Sequence, residues 1–378
     1  MSIGQKFSRK EVLRVVKRVL QKFIKYDLAT ISLIFVILLA VMITKSNPAR
    51  LGFSLTSVTK DIAIFTLVGM AQMMTLAVGQ FNLAVGAIGG AAAMVCGYLI
   101  NLPTTGSMEV EKYVQAEVGL AVPTLIGIVV ALAIGFLLGM LQGGLIVKTK
   151  INPFIISLAL ISIIHGINMG ITENIYFRKL PDAFKGLSTI TVPGTTENSA
   201  AFGLPLMFIL VLVVMAIVWL LYNRTVFGRN MLATGVSKRA ADFAGINSGK
   251  YVMLAHALSG VLCALAGMLT ASKLSAAQTS IGDNWMLYSF AAPILGGTLL
   301  NGGKVSIIGT MIGAAIMGIM TTVLSLLKLD AFTHQIFIGG ILLFAFILNS
   351  AREALSKQQD KSMLEANETA VQSGRSQV

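Results

Sequence analysis

Charge is scarce in this 378-residue chain. Only 12% of its residues are Asp, Glu, Lys or Arg and 55% are hydrophobic, whereas a soluble domain is about 25% charged. A soluble globular protein is excluded. So is an appended soluble domain, because the longest stretches outside apolar runs are the two termini and a segment near 172–203. Two cysteines, Cys96 and Cys263, both in apolar runs, exclude a disulfide framework and a cysteine-rich metal site. The chain lacks a phosphate-binding G-x-x-x-x-G-K-[ST] loop, and with it ATP hydrolysis by that route; HExxH and other metal-ligand spacings are missing too. Ionisable residues inside membrane spans usually mark ion paths and proton relays. The few here, His165, His256 and edge residues such as Lys60, Asp61 and Lys273, argue against a proton-coupled pump.

What the chain has is apolar length. Runs near 28–44, 58–79, 83–101, 121–147, 153–171, 204–222, 251–271, 284–300, 305–327 and 331–349 suit membrane helices, for which about 20 residues cross the hydrocarbon core. Pro123, Pro153 and Pro205 fall at first turns, where proline is tolerated. The expected fold is an all-α polytopic membrane protein of about ten transmembrane helices. Two spans are interrupted by glycine and a polar amide. Thr75–Gly90 carries Gln80, Phe81 and Asn82, and Leu295–Gly313 carries Asn301. Broken helices in a bilayer belong against other protein or along an aqueous cavity, and transporters place them at substrate paths. Small residues also simply permit close helix packing. Gly79, Gly86 and Gly90 share their spacing with Gly302, Gly309 and Gly313, the pattern of an internal repeat or of chance in a glycine-rich chain.

The net charge of +13 could suggest nucleic acid, but the basic residues gather at 1–27 and 224–250, as in cytoplasmic loops. Residues 1–27 hold eight Lys or Arg among Val12, Val15, Val16, Val19, Leu20 and Phe23 at helical spacing. This reads as an uncleaved basic amphipathic helix on the anionic leaflet. With ten spans and both termini cytoplasmic, 20 of the 29 basic residues fall inside and 9 outside, and the loop with Glu109, Glu111 and Glu117 falls outside. The membrane domain is then 28–350, with a cytoplasmic loop at 223–250 and a polar, disordered tail at 351–378.

His165, with Asn168 one turn on, lies deep in a span; either could contact a polar solute or bond between helices. His256 and Ser259, three apart on one helix, suit packing better than a protease dyad. In 223–250 a short helix, Lys238 to Ala244, is bounded by Gly235 and Gly245. Isolated helices this short are marginal, so it must dock on this chain or on another subunit.

Four ordered segments resemble the permease subunit of the bacterial ribose/galactose/autoinducer-type ABC importers, over about 50–350. Gly79-Gln80-Phe81-Asn82-Leu83-Ala84-Val85-Gly86 resembles that family's G-G-I-D-L-S-V-G. Asn152-Pro153-Phe154-Ile155 resembles its P-P-F-I. Phe227-Gly228-Arg229 with Gly235, Ala240-Ala241 and Gly245-Ile246 resembles its coupling loop. Leu295-Gly296-Gly297-Thr298 with Gly302-Gly303 and Gly309-Thr310 resembles its L-G-G-T-S-x-x-G-G-x-G-S-x-x-G-T. The resemblance implies a bacterial cell-membrane assembly of two permeases, identical or not, two ATPases and an extracytoplasmic solute-binding protein. The chain itself would be no enzyme and hold no cofactor, ATP belonging to the partner. Gly235, Lys238, Ala240, Ala241, Gly245 and Ile246 would couple to the ATPase. The expected path residues are Gln80, Phe81, Asn82, His165, Asn168, Trp285, Tyr288 and Asn301. The family's Y-E-L-D-A-I-A-A is here Trp285-Met286-Leu287-Tyr288-Ser289-Phe290-Ala291-Ala292, losing carboxylates at Met286 and Tyr288. Asn82 replaces another, and His165 stands where the family often has Arg. Such a path suits a different solute, or pairing with a non-identical permease. The alternative reading is a stand-alone secondary transporter or channel.

Overall fold

The structure, a computed structural model, describes residues 51–102, 120–173, 175–192 and 202–329, with residues 40, 42–44, 333, 335–340, 343 and 347. The amphipathic segment 1–27, most of the runs at 28–44 and 331–349, the loop with Glu109, Glu111 and Glu117, and the tail from Ala351 lie outside the described residues.

In chain order the elements are α1 (Leu51–Ala77), α2 (Val85–Ile100), α3 (Thr124–Thr149), α4 (Pro153–Thr172), α5 (Asp182–Thr189), β1 (Thr191–Val192), β2 (Leu204–Pro205), α6 (Leu206–Arg224), α7 (Val226–Val236), α8 (Lys238–Phe243), α9 (Ser248–Leu274), α10 (Trp285–Leu295) and α11 (Ile307–Leu326). Within the described residues, α1, α3, α4, α6, α9 and α11 are long and apolar enough to cross a membrane. The chain is an all-α membrane protein; among the described residues its strands amount to the antiparallel pair Thr191↔Pro205 and Val192↔Leu204.

Composition decides which helices are central. α1, α9 and α11 are mostly buried, whereas only about a fifth of α3, α4 and α6 is buried. The exposed residues are themselves apolar, Leu125, Ile155, Ile171 and Ile217 among them, which a bilayer accepts and water would not. α3 attaches through one stripe, Gly127, Ala131, Gly135, Gly139 and Gly143, repeating every fourth residue. Gly135, Gly139 and Gly143 lie against the backbone of α9 at Gly260, His256 and Met253, and Gly127 meets Ile100 of α2. Small residues at helical repeat spacing let two backbones approach closely in lipid. α1 and α9 are further tied by an ion pair between Asp61 and Lys273.

Two expectations are revised. The run at 284–300 is not one helix: α10 stops at Leu295 after 11 residues, about 16 Å at 1.5 Å per residue, too short to span alone. Pro293 lies inside α10, and Gly297, at φ +84°, ends it. Pro123 and Pro205 are N-cap residues rather than first-turn residues; Pro153 does open α4.

Candidate translocation site

Both glycine stretches end a helix by the same local chemistry. After α1, Gly79 takes φ +65°, its N–H bonds Leu76 O at 2.9 Å, and Gln80 N–H bonds Thr75 O at 2.9 Å. After α10, Gly297 N–H bonds Ile294 O at 3.0 Å and Thr298 N–H bonds Pro293 O at 2.9 Å. This paired closure needs a left-handed residue, which glycine adopts without a Cβ penalty. The two stretches also meet. Gly303 N–H donates to Ala77 O at 3.2 Å, Gly302 packs on Gly79, and Gly235, from the last turn of α7, packs against Ala77 and Gly303. The loop that carries α8 is therefore wedged against both interruptions.

Between α9 and α10 the chain does something the apolar runs did not announce. Residues 275–284 form irregular turns that run back along α2, meeting Gly97, Gly90 and Gly86 through Ala277, Ile281 and Gly282. Non-helical backbone at membrane depth is tolerated only where it is buried in protein or lines a watery cavity. Here it does both. Thr279, Ile281, Gly282, Asp283 and Met286 wall a cavity of about 530 Å³, with α2 on a second side and Ser162, His165 and Asn168 of α4 on a third. Asp283 and Ser162 are exposed to it, and His165 and Asn168 are half-buried. A carboxylate, a hydroxyl, an imidazole and an amide thus converge on one space, which can hydrogen-bond a polyhydroxyl or similarly polar solute.

The other expected path residues separate into different places. Gln80 and Phe81 line a second cavity of about 550 Å³ at the α8 end, with Lys150, Asn152, Lys238 and Ser248. Asn82 lines neither. It is fully buried; its Oδ1 accepts from Ala84 N–H at 2.9 Å and its Nδ2 donates to Ser259 Oγ at 3.0 Å. Trp285 packs on Gly89, and Tyr288 stacks on Phe65 with ring centroids 4.4 Å apart. Both large rings are buried between helices, and neither lines the polar cavity. Asn301 is exposed beside the seam and its carbonyl abuts Gly79. Asn168 also borders a largely apolar cavity of about 640 Å³ between α2, α3 and α4.

At the α8 end, Ser237 Oγ accepts from Ala240 N–H at 3.3 Å and Gly245 closes α8 at φ +81°, so the helix ends at Phe243, one residue earlier than expected. Asp242 holds it to α9 by accepting from Ser248 N–H and Oγ, each at 3.0 Å. Of the expected coupling residues, Lys238, Ala240 and Gly245 are exposed and Ile246 is half-buried. Gly235 faces the seam. Ala241 is only 4% exposed, so it packs inside this chain. The large apolar side chain that α8 presents is Phe243, 93% exposed.

Comparison with known proteins decides the family. Residues 54–346 match the family model described as the branched-chain amino acid transport system permease component. The chain belongs to this family. Its relatives include the ribose import permease protein of Haemophilus influenzae, 28% identical over 320 residues, covering 84% of this chain and 92% of the relative. The galactose/methyl galactoside import permease protein of Escherichia coli is 27% identical over 327 residues, covering 86% and 95%. The D-allose transport system permease protein of Escherichia coli is 28% identical over 296 residues, covering 78% and 83%. No solved structure matches the chain. As a family member the chain is a multi-pass membrane permease subunit of an ABC importer, as its four motifs implied, and the stand-alone transporter reading falls. Within this permease the sequence reading missed Ser162, Thr279 and Asp283. Asp283 left one signal: a Gly-Asp-Asn tripeptide, 282–284, at the head of an apolar run.

Proposed function

We propose that this permease passes a monosaccharide-sized, uncharged polar solute from an extracytoplasmic binding protein to the cytoplasm, driven by a separate ATPase. One observation carries the solute class: the cavity of about 530 Å³ lined by Ser162, His165, Asn168, Thr279 and Asp283, within the usual 300–1,000 Å³ of small-molecule sites. Relatives named for ribose, galactose and D-allose import support a sugar over a branched-chain amino acid. The residues that line the cavity suit transit better than capture. Each net hydrogen bond contributes about 0.5–1.5 kcal/mol, and capture belongs to the binding protein.

The 20-to-9 split of basic residues supports a bacterial cell-membrane orientation with the α8 end and both termini cytoplasmic. Ten spans follow if α10 and the glycine stretch after it, 296–306, together count as one interrupted crossing. In this orientation α8 is the ATPase dock, with Phe243 its anchor. The apolar outer faces of α3 and α4 meet lipid or a second permease, identical or homologous. Gln80 and Phe81 mark the cytoplasmic mouth, and no cofactor is held by this chain.

The test is co-reconstitution of the permease with its ATPase and binding protein in liposomes. Uptake of a labelled monosaccharide should require all three proteins and ATP. Uptake by the permease alone, or without ATP, would overturn the reading. Cysteine labelling from outside should miss a probe at Lys238 and reach one at Lys185 near the opposite end.

A further inference from the structure

The cavity at the α8 end has a chemistry that solute passage does not explain. Its wall carries two ammonium groups from different elements, Lys150 of the turn between α3 and α4 and Lys238 of α8, with Gln80, Asn152 and Ser248, and no carboxylate. Among the described residues, neither ammonium is hydrogen-bonded to or ion-paired with a protein group. Asp242, one turn on from Lys238, stands beside the cavity, but its two oxygens are engaged by Ser248. Partial burial of the ammonium in the cavity wall lowers the Lys238 pKa, and the Asp242 carboxylate opposes that shift. Lys150 caps α3 with φ +59°, a left-handed conformation that asparagine adopts more readily than lysine. A neutral sugar gains little from paired ammonium groups. A phosphate group, which takes charge-assisted hydrogen bonds, gains much.

We propose that this cavity is an anion site that takes a phosphate-bearing ligand between Lys150 and Lys238. The same chemistry fits the phosphate of a soluble phosphomonoester and that of an anionic lipid headgroup. Under the proposed orientation the site opens to the cytoplasm. Its ligand would lie beneath Gln80 and Phe81 and tie α8, the docking helix, to the turn between α3 and α4. The bound anion therefore restrains the coupling helix and obstructs the mouth at the same time.

The experiment uses the full chain in nanodiscs and needs neither the ATPase nor the solute. Glucose 6-phosphate and inorganic phosphate are titrated, with phosphorus NMR line broadening as the readout, into discs of phosphatidylcholine alone and discs containing phosphatidylglycerol. Lys150→Asn, which suits the left-handed backbone, and Lys238→Gln are compared with the unaltered protein. Saturable binding of the soluble phosphate in both discs, weakened about tenfold or more by each substitution, supports a soluble ligand. Binding only in phosphatidylcholine discs, together with lysine-dependent retention of phosphatidylglycerol by native mass spectrometry, supports the headgroup. Absence of saturable binding from either source, or binding that both substitutions leave unchanged, overturns the proposal. Either result leaves the uptake test of the permease reading untouched.

Discussion

Asn82→Leu should weaken the fold rather than re-line a path. The Asn82 amide is fully buried and makes two hydrogen bonds, one from Ala84 N–H at 2.9 Å and one to Ser259 Oγ at 3.0 Å. Leucine fills a similar volume but leaves the Ala84 N–H without a partner at the start of α2 and deprives Ser259 of a donor. An orphaned buried group costs about 1–3 kcal/mol; the Ser259 oxygen loses one accepted bond while its O–H stays free to donate, about 1 kcal/mol more, so the pair together should cost about 2–4 kcal/mol. Asn82→Asp keeps the acceptor for Ala84 N–H next to the positive end of α2, and Ser259 can donate in its turn, so stability should change little. The assay is reversible unfolding in mixed micelles, followed by helicity, for Asn82→Leu, Ser259→Ala and the double variant. The cycle should return a coupling of about 1 kcal/mol. A leucine variant as stable as the unaltered protein, with zero coupling, would refute the capping role.

Phe243→Glu should abolish co-purification of the ATPase while the permease remains folded in the membrane, because the ring is exposed and supports nothing inside the chain; pull-down against the thermal unfolding midpoint checks both halves. Gln72 is fully buried in α1 and, among the described residues, both its amide atoms lack a hydrogen bond, so Gln72→Met should raise stability by about 1–3 kcal/mol, read in the same unfolding assay. Met286 lines the polar cavity at a position where the resembling family carries Glu. Met286→Glu adds a carboxylate one turn from Asp283 and should change relative uptake rates among monosaccharides without displacing the ATPase.

Much of the helical frame was legible because lipid leaves a strong mark on sequence. The run at 121–147 became α3 (Thr124–Thr149) and 153–171 became α4 (Pro153–Thr172), since continuous apolar length admits little else. The ends of helices at Gly79 and Gly245 were legible for the same reason that glycine closes helices. What remained hidden was which side of a helix faces what. Trp285 and Tyr288 read as path aromatics; their rings bury against Gly89 and Phe65, one in the gap left by a small residue and the other stacked on a second ring. Ala241 read as a contact surface because it is small, yet small size equally suits packing inside the chain. The turns at 275–284, Ser-Ala-Ala-Gln-Thr-Ser-Ile-Gly-Asp-Asn, are polar enough to fall between the apolar runs, but hydropathy does not say that such a segment runs back along a helix.

The central claim is that solute passes through the space between α2, α4 and residues 279–283. Thiol accessibility in the reconstituted assembly tests it most directly, and the two native cysteines, both buried, keep the background low. Ser162→Cys and Asp283→Cys should react with a membrane-impermeant thiol reagent and lose uptake on reaction, while Tyr288→Cys stays unreactive. Labelling at Tyr288→Cys with Ser162→Cys and Asp283→Cys silent would contradict the account.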